Sequence, residues 1–153
     1  MPRGQAPPEF VRAVIELEVA SDVRTIERIV AMISRHVADW NFPAQVCSFN
    51  VPVALSEALS NAMLRGNRED LAKRVRVRAS IDANQLVLEV TDEGGGFDLE
   101  GYTVDPTTPE NLLREEGRGL YLMRQLMDRV ERFNDGGNVV RLTLRRQIAS
   151  GGP

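Results

Sequence analysis

The sequence predicts an α+β fold, a two-layer sandwich whose mixed, mostly antiparallel sheet carries its helices on one face. Two patterns predict it. Residues 74–91 and 129–146 each alternate between apolar and polar types on both sides of a short turn, which is typical of hairpins. Apolar residues in residues 22–40 recur at helical spacing, which is typical of a helix with one buried face. Hairpin-connected strands favour an antiparallel sheet, and one-sided helices favour a single covering layer.

The N-terminal half is predicted to contain one strand and two helices. Residues 11–19 have an apolar residue at every odd position, as expected for a half-buried strand. Ser21 and Asp22 stand at the start of the helical pattern of residues 22–40 and can cap that helix. A second helix is predicted over residues 52–64, and Gly66 lies where a C-cap is expected.

The C-terminal half is predicted to contain two hairpins separated by a loop and a helix. Residues 94–116 lack periodicity and contain two prolines and many acidic residues, so a long loop is expected there. A third helix is predicted to begin at Gly119, where apolar residues again recur at helical spacing. A connection of that length inside a compact domain is usually functional or mobile.

Composition fits one folded domain and limits the function classes. The chain has 153 residues, of which 42% are hydrophobic and 27% charged. The domain is predicted over residues 10–147, with a flexible N-terminus over residues 1–9 and a flexible tail over residues 148–153. The net charge of −3 argues against direct nucleic-acid binding. Arginines clustered in predicted strands are expected to lie on a solvated sheet face.

Residue types that are rare or missing exclude further classes of site. The single cysteine cannot form an internal disulfide, and with one histidine it cannot form a zinc cluster. No apolar run is long enough to cross a membrane, and no apolar N-terminal segment resembles a signal peptide. The sequence therefore predicts a cytoplasmic protein without membrane association.

A first candidate cluster lies on the second predicted helix. Glu57 and Asn61 are four residues apart and share one face with Arg65, beside an apolar stripe. A carboxylate at the edge of a core is suited to act as a base, and a neutral amide supplies a hard oxygen for Mg²⁺. An ordinary polar helix face is the alternative interpretation of this cluster.

A second candidate cluster follows the second strand of the first hairpin. Asp92 ends an apolar strand and is followed by Glu93, three glycines and Phe97. An aspartate there can accept a hydrogen bond from an amine-bearing ring such as adenine, and glycines allow the backbone to approach a ligand closely. The alternative is a flexible turn, although three consecutive glycines exceed what a turn requires.

A third candidate cluster opens the third predicted helix, with Gly117 and Gly119 on either side of Arg118. Glycines at a helix N-terminus expose backbone N–H groups and the positive end of the helix dipole, which favours phosphate. The pattern is neither the dinucleotide-binding fingerprint nor a P-loop, because the third glycine and the Gly-Lys-Ser/Thr ending are missing. By itself this signal has low specificity.

Together and in this order, the clusters resemble the Bergerat-fold ATPases, the superfamily of gyrase and the histidine kinases. Glu57 and Asn61 resemble the N box of that superfamily. Asp92, Gly94 and Gly96 resemble its first glycine box, and Gly117 and Gly119 resemble its second glycine box. Residues 113–123 are similar to the second-box region of bacterial anti-sigma factor serine kinases, and residues 57–62 fit their Glu-Ala-x-x-Asn-Ala pattern. Residues 137–142 are similar to the last box of the superfamily, in which Asn138 replaces the usual Thr. Arg65 replaces a His that is usual in the anti-sigma factor kinases.

The resemblance implies ATP and Mg²⁺ as cofactors and assigns roles to residues. Glu57 corresponds to the catalytic base, Asn61 to the Mg²⁺ ligand and Asp92 to the residue that binds adenine. Arg114 or Arg118 could stabilise charge on the γ-phosphate. The implied cofactor-binding set is Asn61, Arg65, Asp92, Gly94, Gly96, Phe97, Arg114, Gly117, Arg118, Gly119 and Leu120.

The same resemblance implies partners. It predicts a serine protein kinase that binds a sigma factor, phosphorylates an anti-anti-sigma antagonist protein and forms a homodimer. A non-catalytic ATP-binding module that switches a protein partner is an alternative, favoured by Arg65 and Asn138. A detached catalytic domain of a histidine kinase is another, although no helix pair with a phosphoacceptor precedes this domain.

Overall fold

The computed structural model describes residues 12–94 and 115–146, which form five strands and three α-helices. Alternating segments became strands and helically spaced segments became helices, as predicted. In chain order the elements are β1 (Ala13–Ala20), α1 (Ile26–Asp39), α2 (Val51–Ser60), β2 (Arg74–Ile81), β3 (Gln85–Asp92), α3 (Glu115–Leu126), β4 (Arg129–Asn134) and β5 (Asn138–Arg145).

The strands form one sheet in the order β1-β2-β3-β5-β4. Every neighbouring pair is antiparallel. The predicted α+β class with a mostly antiparallel sheet is therefore confirmed, and among the described strands the sheet is antiparallel throughout. The pairing of β3 with β5 brings the end of β3 opposite the start of β5, with Asp92 directly across from Asn138. The sheet therefore joins two segments that are far apart in the sequence.

The hydrophobic core lies between the helices and one face of the sheet. Alternate strand residues point into it, among them Val77, Leu88 and Leu142, whose side chains are buried. From α1, Ile33 and Val37 are fully buried against this layer. The predicted alternation and the helix on one face of the sheet are therefore confirmed, and the opposite sheet face is free of helices in the described part of the chain.

The opposite face carries one row of alternating charges across all five strands. Glu16, Arg78, Glu89, Arg141 and Glu131 lie opposite one another in the strand register. Successive N···O distances along the row are 3.2, 3.6, 2.9 and 3.8 Å. Exposed pairs of this kind each contribute only about 0–1 kcal/mol, so the row makes this face soluble more than it stabilises the fold.

The helices differ from their predicted bounds. Asp22 does act as a cap, because its side chain accepts from the backbone N–H of Arg24, but a short 3₁₀ turn precedes α1. α2 lies between two π-helical turns, Val46–Asn50 and Asn61–Gly66, so the helical backbone extends beyond residues 52–64 on both sides. α3 begins at Glu115, four residues before the predicted start. Among the described helices, none has both the length and the apolar content to span a membrane.

Candidate functional site

Asp92, the last residue of β3, occupies one end of the candidate site. Its residue surface is only 3% exposed. Its Oδ1 accepts two hydrogen bonds, from the amide Nδ2 of Asn138 at 2.9 Å and from the backbone N–H of Gly94 at 2.8 Å. Because both of these donors bind Oδ1, the carboxylate is fixed in orientation before any ligand arrives.

Burial raises the pKa of Asp92, since desolvation disfavours the charged carboxylate. The hydrogen bonds from Asn138 and Gly94 act in the opposite direction, as does the positive charge of Arg132 and Lys73. A buried carboxylate held in this way favours a ligand that brings a hydrogen-bond donor, because such a donor stabilises the charged form.

Two glycines, Gly66 and Gly94, pack closely around the Asp92 carboxylate. Gly66 lies so close to the Asp92 side chain that a β-carbon on Gly66 would overlap the carboxylate group. A β-carbon on Gly94 would overlap the carbonyl of Gly66. Gly94 is therefore needed for the close approach of its backbone to Gly66. The close approach to a ligand that the glycine cluster predicts stays a prediction. The need for Gly66 was not predicted, because in the sequence it resembles only a helix C-cap.

Asn138 was not among the predicted site residues, but the structure places it in the site. It is 6% exposed, it donates to Asp92, and its Nδ2 also lies 3.4 Å from the carbonyl oxygen of Gly94. Its own Oδ1 accepts from Asn134 Nδ2 at 3.4 Å. The signal that could have found it is strand pairing, because Asn138 is the residue opposite Asp92 once β3 and β5 are aligned.

The other end of the site lies where α2 and α3 meet. Glu57 is on α2, and Asn61 begins the π-helical turn that follows it. A β-carbon on Gly119 of α3 would lie 2.7 Å from Oε2 of Glu57 and 3.6 Å from Nδ2 of Asn61. The structure thus brings the first and third predicted clusters together, and only glycine fits at position 119 without moving the Glu57 carboxylate.

Asn61 has hydrogen-bonding capacity that the described residues leave unused. The residue is 8% exposed, and its buried Nδ2 has no hydrogen-bond partner in residues 12–94 and 115–146. A buried amide without a partner costs about 1–3 kcal/mol unless something else binds it. Its position beside Glu57 and Gly119 therefore fits a polar ligand.

The π-helical turn Asn61–Gly66 connects the two ends of the site. It starts with the Asn61 amide and ends with Gly66 against Asp92. Such turns interrupt regular α-helices and are frequent at functional sites. Arg65 lies within this turn and is half-buried, so the position that departs from the family pattern is part of this connection.

The predicted residues of α3 have different environments. Because α3 begins at Glu115, Gly117 lies in its first turn, where backbone N–H groups lack helical partners. Gly119 lies one residue beyond this first turn, so its N–H group is not among those without helical partners. Its observed role is to pack against Glu57, whereas the predicted helix start gave it a role in phosphate binding. Arg118 is exposed. Leu120 packs in the hydrophobic core, so its side chain does not line a ligand site.

Three predicted site residues, Gly96, Phe97 and Arg114, lie outside the described residues. Within the described ones, no group of three or more His, Cys, Asp or Glu side chains could hold a metal ion. The amide of Asn61 therefore remains the predicted side chain for Mg²⁺ in this part of the chain.

A separate concavity of 670 Å³ lies on the charged face of the sheet. It is lined by residues of the alternating charge row, such as Arg78, Glu89 and Arg141. These charges already bind one another across the strands, and none of the predicted site residues lines the concavity. The helix-covered side, where Asp92 and Glu57 lie, is the better candidate for the chemistry.

Comparison with known proteins assigns this geometry to a family. The family model described as histidine kinase-like ATPase domain matches residues 19–144, from the end of β1 to the end of β5. The match includes Glu57, Asn61, Asp92 and Gly119, which are the residues that form both ends of the site.

Curated relatives match parts of the chain. The serine-protein kinase RsbW of Bacillus subtilis (strain 168) is 37% identical over 99 residues, which are 61% of this chain and 62% of that protein. The anti-sigma F factor of Clostridium beijerinckii is 31% identical over 102 residues, 65% of this chain and 70% of that protein. The serine-protein kinase RsbW of Bacillus thuringiensis (strain Al Hakam) is 30% identical over 111 residues, 67% of this chain and 69% of that protein. The chain thus spans less than two thirds of the length of the first of these relatives.

Proposed function

This chain belongs to the histidine kinase-like ATPase domain family, and we propose that it is an ATP-dependent serine protein kinase that acts as an anti-sigma factor. The observation that carries the proposal is the meeting of Glu57, Asn61 and Gly119, which places a carboxylate beside an unsatisfied amide and a glycine-containing helix. Relatives named serine-protein kinase and anti-sigma factor support the choice within the family.

The base of ATP would bind at Asp92. Its buried carboxylate, oriented by Asn138 and Gly94, is suited to accept a hydrogen bond from the exocyclic amine of adenine. A keto oxygen at the same place, as in guanine, would bring two acceptors together, so the site favours ATP over GTP. Gly96 and Phe97 would complete this end of the site.

The phosphates of ATP would lie toward the start of α3. The N–H groups of its first turn, which includes Gly117, lack partners within the helix, and together with the positive end of the helix dipole they favour phosphate. Arg118 is exposed and carries a positive charge close to this turn, and Arg114 precedes it. These two arginines are proposed to stabilise charge on the γ-phosphate.

Transfer would use Glu57 as the base. The hydroxyl of an acceptor serine gives its proton to the Glu57 carboxylate while the serine oxygen bonds to the γ-phosphorus. The bond between that phosphorus and the bridging oxygen breaks, and ADP leaves. Phosphoryl transfer depends mainly on position and charge, so these residues are chemically sufficient.

Mg²⁺ is the second cofactor that we propose. Asn61 would hold it through its side-chain oxygen, because an amide oxygen is a ligand type that Mg²⁺ accepts. When bound, Mg²⁺ would neutralise phosphate charge. The role of the protein residues is then to fix the position of Asn61 relative to Glu57, four residues earlier on the helix.

The proposed partners are a sigma factor and an anti-anti-sigma protein whose serine is phosphorylated. The name of the Clostridium relative supports the sigma factor, and the family resemblance of residues 113–123 supports the antagonist. A homodimer, a cytoplasmic location and the absence of direct nucleic-acid binding complete the proposal. The net charge of −3 supports the last of these.

A second candidate function is an ATP-binding module that changes a partner without transferring phosphate. Arg65 favours it, because a half-buried arginine lies in the π-helical turn between the two ends of the site. The two candidates differ in one measurable product, which is phosphoserine on a partner protein.

The transfer test compares the wild-type chain with Glu57→Gln. Both are incubated with ATP labelled on the γ-phosphate, Mg²⁺ and an anti-anti-sigma protein from the same genome. We expect acid-stable label on serine with the wild type, and a loss of at least about hundredfold with Glu57→Gln, as for removal of a general base. ATP affinity should change little.

Glu27→Gln is the matched control, since Glu27 is exposed on α1 and the same charge is removed. It should transfer phosphate like the wild type. ATP binding without label on serine would refute the kinase and favour the regulatory module. Acid-labile label would indicate a histidine kinase domain instead.

The binding test removes the negative charge of Asp92 at the end of the site where the adenine base would bind, here called the base end. Asp92→Asn replaces an acceptor with an amide that presents a donor, and loss of a hydrogen bond to a charged group costs about 1.5–3 kcal/mol. We expect ATP affinity to fall by about tenfold to a hundredfold in a calorimetric titration. Asp135→Asn, in the exposed turn of the last hairpin, should bind like the wild type. Unchanged ATP affinity in Asp92→Asn would show that adenine binds elsewhere.

A further inference from the structure

Asn67, directly after the π-helical turn Asn61–Gly66, is fully buried and polar. Its side chain binds three separate segments. Nδ2 donates to Ser21 Oγ after β1 at 2.6 Å and to the carbonyl of Arg74 at the start of β2 at 2.9 Å. Oδ1 accepts from the backbone N–H of Glu93 at 2.8 Å. Both donor hydrogens and one acceptor site are therefore used.

The bond to Glu93 joins the two ends of the candidate site. Glu93 directly follows Asp92, the proposed adenine-binding residue. Asn67 directly follows the turn that begins with Asn61, the proposed Mg²⁺ ligand. One amide side chain thus ties the segment that carries Asp92 to the end of the helical segment that carries Asn61.

The backbone of Asn67 is held independently of this side chain. Its N–H donates to the carbonyl of Ala62 at 2.8 Å, and the N–H of Glu69 donates to the carbonyl of Met63 at 2.7 Å. These bonds end the helical segment without using the amide group. Truncation of the side chain therefore removes the tie to Glu93 and leaves the helical end in place.

We propose that Asn67 is a positioning residue that sets the distance between the adenine-binding carboxylate and the phosphate-binding end. The proposal rests on ATP binding as proposed above. One ATP molecule must contact both ends at once, so a shift of one end lowers affinity even though neither end has changed chemically.

Selectivity between bases separates this role from a purely structural one. The segment 92–94 is held on one side by Asn67 and on the other by Asn138. Without Asn67, Asp92 is fixed less firmly relative to the base, so preference for ATP over GTP should decrease. A loss of stability alone lowers the folded fraction and leaves the ratio of the two affinities unchanged.

The test measures dissociation constants for Mg·ATP and Mg·GTP with the wild type, Asn67→Ala and Ser21→Ala. Ser21→Ala is the matched control, because Ser21 is buried and accepts a hydrogen bond from Asn67, and its truncation leaves the bond from the Glu93 N–H to Asn67 Oδ1 in place. We expect Asn67→Ala to bind ATP at least about tenfold more weakly and to show a reduced ATP-to-GTP preference. Ser21→Ala should show a lower melting temperature with the wild-type preference.

An unchanged ATP-to-GTP ratio in Asn67→Ala would overturn the proposal and leave Asn67 a structural residue. Absence of ATP binding by the wild type would instead refute the proposed function, so the two failures are distinguishable. If Asn67→Ala does not fold, hydrogen exchange of the wild type gives the answer. The Glu93 amide should be protected without nucleotide and more strongly protected with ATP, and fast exchange in both states would overturn the proposal.

Discussion

The two ends of the candidate site differ in how completely the protein satisfies them. At the base end, Asp92 accepts from Asn138 and Gly94, and Asn67 holds the next residue along the chain. The phosphate end is formed by Glu57, Asn61 and Gly119, and there the buried Nδ2 of Asn61 has no hydrogen-bond partner in the described residues. The base end is thus organised by folding, whereas the phosphate end keeps capacity for a ligand.

This difference predicts two kinds of variant. Changes at the base end disturb hydrogen bonds that also stabilise the fold, so ATP affinity and stability should fall together. Changes at the phosphate end disturb groups that are proposed to act on the ligand, so transfer should fall while stability changes little. Two glycines, Gly66 and Gly119, test the difference with the same substitution, because each lies in a helical segment against one of the two carboxylates.

Gly66→Ala is expected to have the largest effect. Alanine favours a helix over glycine by about 1 kcal/mol, but its β-carbon would overlap the short Asp92 side chain, which Asn138 and Gly94 hold in place. Overpacking costs about 1–3 kcal/mol, so the clash outweighs the propensity. We expect a lower melting temperature and at least about tenfold weaker ATP binding, measured by calorimetry. Normal affinity together with wild-type stability would contradict the preorganised base end.

Gly119→Ala is expected to act on transfer alone. Its β-carbon would lie 2.7 Å from Glu57 Oε2, and a glutamate carboxylate can move away by rotation at small cost. The gain of about 1 kcal/mol in helix propensity should therefore keep the melting temperature at or above that of the wild type. Phosphate transfer should fall by about tenfold or more, because the carboxylate of Glu57, the proposed catalytic base, is displaced.

Gln125→Ala, exposed on the same helix, controls for the helix effect and should retain full transfer. Wild-type transfer by Gly119→Ala would show that the close approach to Glu57 has no catalytic role. A large loss of stability in this variant would show instead that the phosphate end is as tightly packed as the base end.

The sequence predicted the base end and the sheet better than it predicted contacts between distant segments. Alternation located the strands, and the acid with glycines located Asp92, because both signals are local. Asn138 and Asn67 bind that segment from other parts of the chain. No local pattern marks Asn67, and the family resemblance marked Asn138 only as a departure from the usual Thr. Once strands are paired, register alone places Asn138 opposite Asp92, so the missing information was topology.

The helical segments show a second limit. The face shared by Glu57 and Asn61 followed from helical spacing, but the π-helical turn that begins at Asn61 did not. The last residue of this turn, Gly66, packs against Asp92 of β3, which is a tertiary contact. The start of α3 was placed too late for a related reason, since glycines at residues 117 and 119 resemble a helix start although the backbone is already helical at Glu115.

The smallest expected effect concerns Asn138 and pH. Burial raises the pKa of Asp92, and donation by Asn138 lowers it, so Asn138→Leu should raise that pKa further. The proposed binding of adenine needs the ionised carboxylate. As the pH is lowered, ATP affinity should therefore begin to fall at a higher pH in Asn138→Leu than in the wild type. Asn138→Thr keeps a hydroxyl donor and should restore the wild-type profile.

The sign for stability is opposite to that for binding. A carboxyl whose pKa is raised by folding stabilises the fold at low pH, and this contribution is lost as the pH rises through the folded-state pKa. In Asn138→Leu the loss should occur at higher pH than in the wild type. Dissociation constants and melting temperatures measured together from acidic to neutral pH check both directions, and the titration of ATP itself is common to all variants. If binding and stability shifted in the same direction with pH, ionised Asp92 would not be the group that binds adenine.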